Sequence, residues 1–196
     1  MIIPKKLILA SGSPRRKHLL RQLRLECDVI LSGIDEDLEP RQDPEKHVRN
    51  LSFQKAAAVA RSVPEGIIIG ADTIVVLHNR ILGKPKTADE AITMLTDLSG
   101  NVHEVFTGFT LFEKPSGRTV TEVERTRVKF RTLTPSEIES YVATGSPMDK
   151  AGAYGIQDDY GAIFVESIDG CFYNVVGFPL TKFYLTLQQF LNHRGK

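Results

Sequence analysis

The sequence predicts an α/β fold: a mixed twisted sheet with flanking helices, folded as two lobes around a central cleft. Three observations predict it. Apolar runs of strand length alternate with segments of helical periodicity along the whole chain. Turn residues at two places, Pro115-Ser116-Gly117 and Asp169-Gly170, read as hairpin connections. Hairpins join antiparallel strands, so the sheet cannot be purely parallel.

The elements follow in order. Leu7–Ala10 is a first strand, and Ser13 before Pro14 opens a helix to about Leu23 that sets Leu19, Leu20 and Leu23 on one side. A short strand around Val29–Leu31 leads into the polar loop "SGIDEDLEPRQD". Asp43 before Pro44 starts a helix to about Val63, with Val48, Leu51, Ala56, Val59 and Ala60 near one face. Ile67–Leu77 is a buried strand that "HNR" turns into Ile81-Leu82. Thr87 and Glu90 form a capping box for a helix that Gly100 ends. Strands near Val105–Phe112 and Val120–Phe130 flank the first hairpin turn, and a second capping box, Thr134 with Glu137, starts a helix to about Ala143. After an irregular stretch, strands Ala162–Ile168 and Phe172–Val176 are joined through Asp169-Gly170, and a final helix turns Leu180, Phe183, Tyr184, Leu187 and Leu191 inward.

A chain of 196 residues fits one large domain or two tightly joined lobes. A net charge of +1 gives no general attraction to nucleic acid or membrane surfaces. Cys27 and Cys171 are the only cysteines, which argues against a disulfide framework or a cysteine-rich zinc site and for a reducing compartment. The apolar core of "MIIPKKLILA" is too short for a signal peptide and no segment is long enough to span a bilayer, so a cytoplasmic protein is expected.

The stretch "LILASGSPRRKHLL" poses the functional question. A helix start favours anions, yet Arg15, Arg16 and Lys17 follow at once. Small residues between strand and helix let backbone amides meet a phosphate, and arginines add bidentate contacts. Solvated arginines after an ordinary cap account for the stretch equally well. Asp72 interrupts the apolar "IIIGADTIVVL", where a lone carboxylate costs several kcal/mol, as an order of magnitude, unless it is paired or metal-bound. It is a candidate catalytic or metal-binding acid, and backbone amides at a strand end are its alternative partners. Lys55 borders an apolar helix stripe, where snorkelling also explains it; Lys84 in "LGKP" and Glu36 in "DEDLE" are unremarkable singly. As a set these residues are what a metal-bound polyphosphate requires.

Other chemistries fit less well. Gly83-Lys84 is followed by Pro85, so it is no Walker A loop; no GxSxG elbow occurs. His18, His47, His78, His103 and His193 show no paired ligand spacing, which leaves oxygen ligands for any metal and structural or surface roles for the histidines.

Seven motifs in order, "LASGSPRR", "QKA", "GADT", "LGKP", "MLTDLSG", "PMDKAGAYGIQ" and "GCFYNVVGFPL", make the chain resemble the Maf family of septum-formation-inhibitor-like nucleoside triphosphate pyrophosphatases along essentially its whole length. The resemblance implies a single domain over residues 1–196 with an inosine triphosphatase-like fold. It further implies hydrolysis of a nucleoside triphosphate to monophosphate and pyrophosphate with Mg²⁺ or Mn²⁺, cytoplasmic residence and a homodimer. "SPRR", "GADT" and "AYGIQ" resemble the branch acting on dTTP and UTP rather than the one cleaving 7-methylated GTP. By the same resemblance Asp72 is the proton acceptor and a metal ligand with Glu36; Arg15, Thr73 and Gln157 are specificity positions; Ser11, Arg16, Lys55 and Lys84 bind phosphate. The chain departs from many relatives in having Asp158-Asp159-Tyr160 between Gln157 and Gly161. A nucleotide-binding regulator of cell division without important turnover is the alternative. RNA binding is disfavoured by the balanced charge and the lack of a basic, aromatic-rich platform.

Overall fold

A computed structural model of the protein describes residues 3, 5–34, 43–157 and 160–192. Among these, the strands form one seven-stranded mixed sheet in the order β2-β1-β3-β5-β6-β7, with β4 pairing β3. The strands are β1 (Leu7–Leu9), β2 (Cys27–Val29), β3 (Gly66–Leu77), β4 (Arg80–Leu82), β5 (Val102–Lys114), β6 (Thr119–Phe130) and β7 (Val165–Asp169). The helices are α1 (Pro14–Gln22), α2 (Pro44–Ala60), α3 (Ala88–Leu98), α4 (Pro135–Ala143), the short α5 (Gly161–Phe164) and α6 (Phe172–Val176), and α7 (Leu180–Asn192). β1 runs parallel to β2 and β3; every other pairing is antiparallel.

The helix starts follow the caps in the sequence. Ser13, Asp43, Thr87 and Thr134 each accept a backbone amide in the first turn, and the box at Thr134 closes in both directions. At Thr87 only half the box forms. Glu90 accepts instead from the Lys86 amide, at 2.8 Å.

β3 alternates between two cores. Ile67, Ile69, Ala71 and Val75 join the large core, whereas Ile68 and Ile74 lie in smaller clusters with Ala56 and Val48 of α2. Two glycines set the distance of α2 from the sheet. A Cβ on Gly70 would sit 2.1 Å from the Ser52 carbonyl oxygen, and one on Gly108 2.3 Å from that of Val48. Helix backbone therefore lies directly on the strands.

Further expectations are corrected. On α7 Tyr184 faces solvent, and Phe190 joins Leu180, Phe183 and Leu187 in the core instead. Phe172–Val176 is helix α6 and not a strand, so Asp169-Gly170 leads from β7 into a helix and makes no hairpin. The β-prone sequence "FYNVV" is overruled by its surroundings. The buried Asn174 amide donates to the Val105 carbonyl and to Thr126 Oγ1, Thr126 Oγ1 also accepts from the Cys171 amide, and Gly177 ends the helix in a left-handed conformation. The strand expected from Ala162 begins only at Val165, after the one-turn helix α5. β2 lies two residues earlier than expected, at Cys27–Val29, because parallel pairing with Leu7–Leu9 fixes its register.

Candidate active site

The cleft exists because β1 is short. Its last ladder bond, from the Ala10 amide to the Ile69 carbonyl, is 2.8 Å. Beyond it the chain turns away through Ser11–Pro14 into α1, and that edge of β3 is left open until β4 pairs at Val75–Leu77. Arg16 fills the gap. Its Nη1 donates to the Ala71 carbonyl and to Ser11 Oγ, both at 3.0 Å, its Nη2 to Thr73 Oγ1 at 2.9 Å and its Nε to the Gly177 carbonyl at 3.0 Å. A strand-edge carbonyl that would otherwise lack a partner is thereby satisfied, and the buried guanidinium is hydrogen-bonded throughout. This is one reason for a cation in the first turn of α1. Arg16 braces the wall by joining the Ser11 turn, β3 and the end of α6.

On the other face of β3, Asp72 meets α2. Lys55 Nζ lies 2.8 Å from Asp72 Oδ1, with side chains 5% and 6% exposed, and His47 Nε2 lies 3.8 Å from Oδ2. The close approach allowed by Gly70 and Gly108 lets both α2 side chains reach one carboxylate. Asp72 Oδ2 is buried and accepts no hydrogen bond among the described residues.

The gap opens into a cleft of about 370 Å³ lined by Ser11, Arg15, Arg16, Asp72, Thr73, Lys84 and Gln157, which come from four separate segments of sequence. Lys55 does not line it but reaches it through Asp72. Glu36 lies outside the described residues, as do Asp158 and Asp159. Among the described residues no three of His, Cys, Asp and Glu cluster as a metal site.

Several lining groups were not singled out from sequence: Asp149, Lys150, Tyr154 and the Val175–Gly177 segment. The charged pair Asp149-Lys150 within the small-residue run "GSPMDKAGAYG" was the available signal. Arg15 Nη1 donates to Asp149 Oδ2 at 2.7 Å and Nη2 to the Asp149 carbonyl at 3.1 Å, while Lys150 Nζ donates to Asp149 Oδ1 at 2.8 Å. Burial alone would raise the Asp149 carboxyl, but the hydrogen bonds from Lys150 and Arg15 bring it below its ordinary range. Behind the cleft, His103 Nε2 lies 2.7 Å from the Tyr154 hydroxyl, and burial pushes the imidazole down to about 3 and the phenol upward.

A mixed sheet whose open strand edge carries a cation-rich cleft and one buried, paired carboxylate defines an α/β protein equipped to receive a small polyanion. The model of the Maf-like protein family matches residues 6–190, and the chain belongs to that family. Similar curated proteins include the dTTP/UTP pyrophosphatase of Bacillus cytotoxicus, 51% identical over 186 residues (95% of this chain, 96% of that protein). The dTTP/UTP pyrophosphatase of Desulforamulus reducens is 47% identical over 186 residues (95% and 97%), and that of a Geobacillus species 51% over 178 (91% and 94%).

Proposed function

We propose that the protein hydrolyses dTTP and UTP to the monophosphate and pyrophosphate, with water attacking the α-phosphorus. The observation that carries the mechanism is the Asp72 carboxylate: one oxygen is held by Lys55, and the other is buried beside the cleft with no hydrogen bond among the described residues. An acid fixed in this way is ready to orient a water and accept its proton. Ser11, Arg16 and Lys84 line the same cleft, with Lys55 behind Asp72, and supply hydrogen-bond donors and positive charge for a triphosphate. Thr73, Arg15 and Gln157 are its base-reading residues. The Gln157 amide can donate to a pyrimidine carbonyl and accept from the ring N–H, a match for uracil and thymine.

The chemistry of Asp72 fits a divalent cation, because a buried carboxylate oxygen that accepts no hydrogen bond among the described residues is a hard donor of the kind Mg²⁺ and Mn²⁺ take. Asp72 and Glu36 would hold that ion, which when bound supplies charge neutralisation and Lewis acidity at the phosphates. Positioning and charge stabilisation by the chain's own donors provide most of the remaining acceleration.

Cytoplasmic residence and homodimeric assembly are further parts of the proposal and rest on the family resemblance. No helix among the described residues is long and apolar enough to cross a membrane. The deciding experiment incubates the purified protein with Mg²⁺ or Mn²⁺ and a panel of triphosphates, including 5-methyl-UTP and pseudo-UTP, and measures pyrophosphate. Release from dTTP and UTP well above CTP and GTP is expected. Tight binding without release would favour the non-catalytic regulator instead.

A further inference from the structure

Among the described residues the cleft is lined by four cationic side chains, Arg15, Arg16, Lys84 and Lys150, and by two acids, Asp72 and Asp149. Asp72 has a place in the proposed chemistry. Asp149 does not, and a carboxylate in a pocket for a triphosphate repels the ligand unless it does something else. Its contacts say what. Both terminal nitrogens of Arg15 bond to Asp149, one to the carboxylate and one to the main-chain carbonyl, so the guanidinium is held in one plane across the cleft from α1. The second carboxylate oxygen takes Lys150 Nζ, which also donates to the Ser146 carbonyl at 2.6 Å, so the acid is itself anchored on the opposite wall.

We propose that Asp149 is a positioning residue for base selection, acting through Arg15. A guanidinium has five N–H donors and no acceptor, and the two contacts with Asp149 leave three donors in a fixed orientation. A fixed, donor-only edge suits the carbonyl groups of uracil and thymine and opposes the exocyclic amino group of cytosine. Released from Asp149, the same guanidinium can swing away from that amino group, and the discrimination is lost. The arrangement also explains why an acid is tolerated here, because its charge is matched by two cations before any ligand arrives. The inference rests on the reading of Arg15 as a base-contacting residue of a pyrimidine nucleotide site.

The test is a double-mutant cycle of the full-length wild type, Asp149→Ala, Arg15→Ala and the double variant. Two readouts are taken: steady-state pyrophosphate release from UTP and CTP, and calorimetric binding of UMP and CMP without turnover. Asp149 is a surface position, its side chain 58% exposed against 24% for Arg15, and such a pair adds little to stability, so all four proteins should fold. For Asp149→Ala we expect the UTP-over-CTP preference to drop about tenfold, the scale of one ordinary hydrogen bond lost from its fixed geometry. The change should appear in KM with kcat nearly unaltered, and Asp149→Ala should add nothing in the Arg15→Ala background. Wild-type selectivity in Asp149→Ala, or losses that simply add in the double variant, would overturn the proposal. Absence of pyrophosphate from wild type with UTP would instead overturn the hydrolytic reading, and the UMP and CMP binding cycle would still report on Asp149 and Arg15.

Discussion

Replacing Lys55 by methionine tests whether α2 and β3 are held together by a buried ion pair at the centre of the site. The two charges lie 2.8 Å apart with side chains only 5% and 6% exposed. At an effective dielectric constant of about 20, their attraction is about 6 kcal/mol, and much of that offsets the cost of removing both groups from water. Removing one partner alone leaves a desolvated carboxylate, which costs about 3–5 kcal/mol. Removing both, in a Lys55→Met/Asp72→Leu variant, puts apolar groups of similar size in their place and should recover most of that loss. Urea denaturation of the wild type, Lys55→Met and the double variant measures the difference. A single variant that loses less than about 1 kcal/mol, within the range of exposed pairs, would refute the reasoning. So would a double variant no more stable than the single one.

Three other outcomes are expected. Gly108→Ala drives a methyl group to 2.3 Å from the Val48 carbonyl oxygen; denaturation should show a loss of at least about 1–3 kcal/mol, and unchanged stability would contradict the close seating of α2. His103 stays neutral in the folded protein because burial lowers it to about 3 from an ordinary 6.5, whereas the unfolded chain takes up a proton below 6.5. Its contribution to stability is therefore complete above 6.5 and lost as the pH falls towards 3; between about pH 7.5 and about pH 5 the loss is ~2 kcal/mol. Urea midpoints at those two pH values should differ less in His103→Gln than in wild type. Gln157→Ala should blur the preference for uracil and thymine by about 1–3 kcal/mol, read as the ratio of kcat/KM for UTP and CTP; an unchanged ratio removes Gln157 from base reading.

Much of the frame was legible because it is written locally. Ser13-Pro14, Asp43-Pro44 and Thr134-Pro135 start helices through contacts within a few residues, and each helix begins where these pairs say. The run Ile67–Leu77 could only be a buried strand, and the carboxylate inside it needed a partner, which proved to be Lys55. What could not be read is what depends on distant segments. "FYNVV" has the composition of a strand but is turned into a helix by Asn174 reaching β5 and β6. The bracing by Arg16 depends on how early β1 stops beside β3, a feature of register and not of any one motif. Asp149 gains significance only once the fold carries Arg15 to it across 134 residues of sequence.

The most direct test of the central claim is turnover of UTP by Asp72→Asn, with UMP binding and circular dichroism as controls for an intact cleft. If Asp72 activates the attacking water, pyrophosphate release falls by a factor of about 10²–10⁴, the usual contribution of a positioned general base, while UMP still binds. Turnover close to wild type would contradict the account.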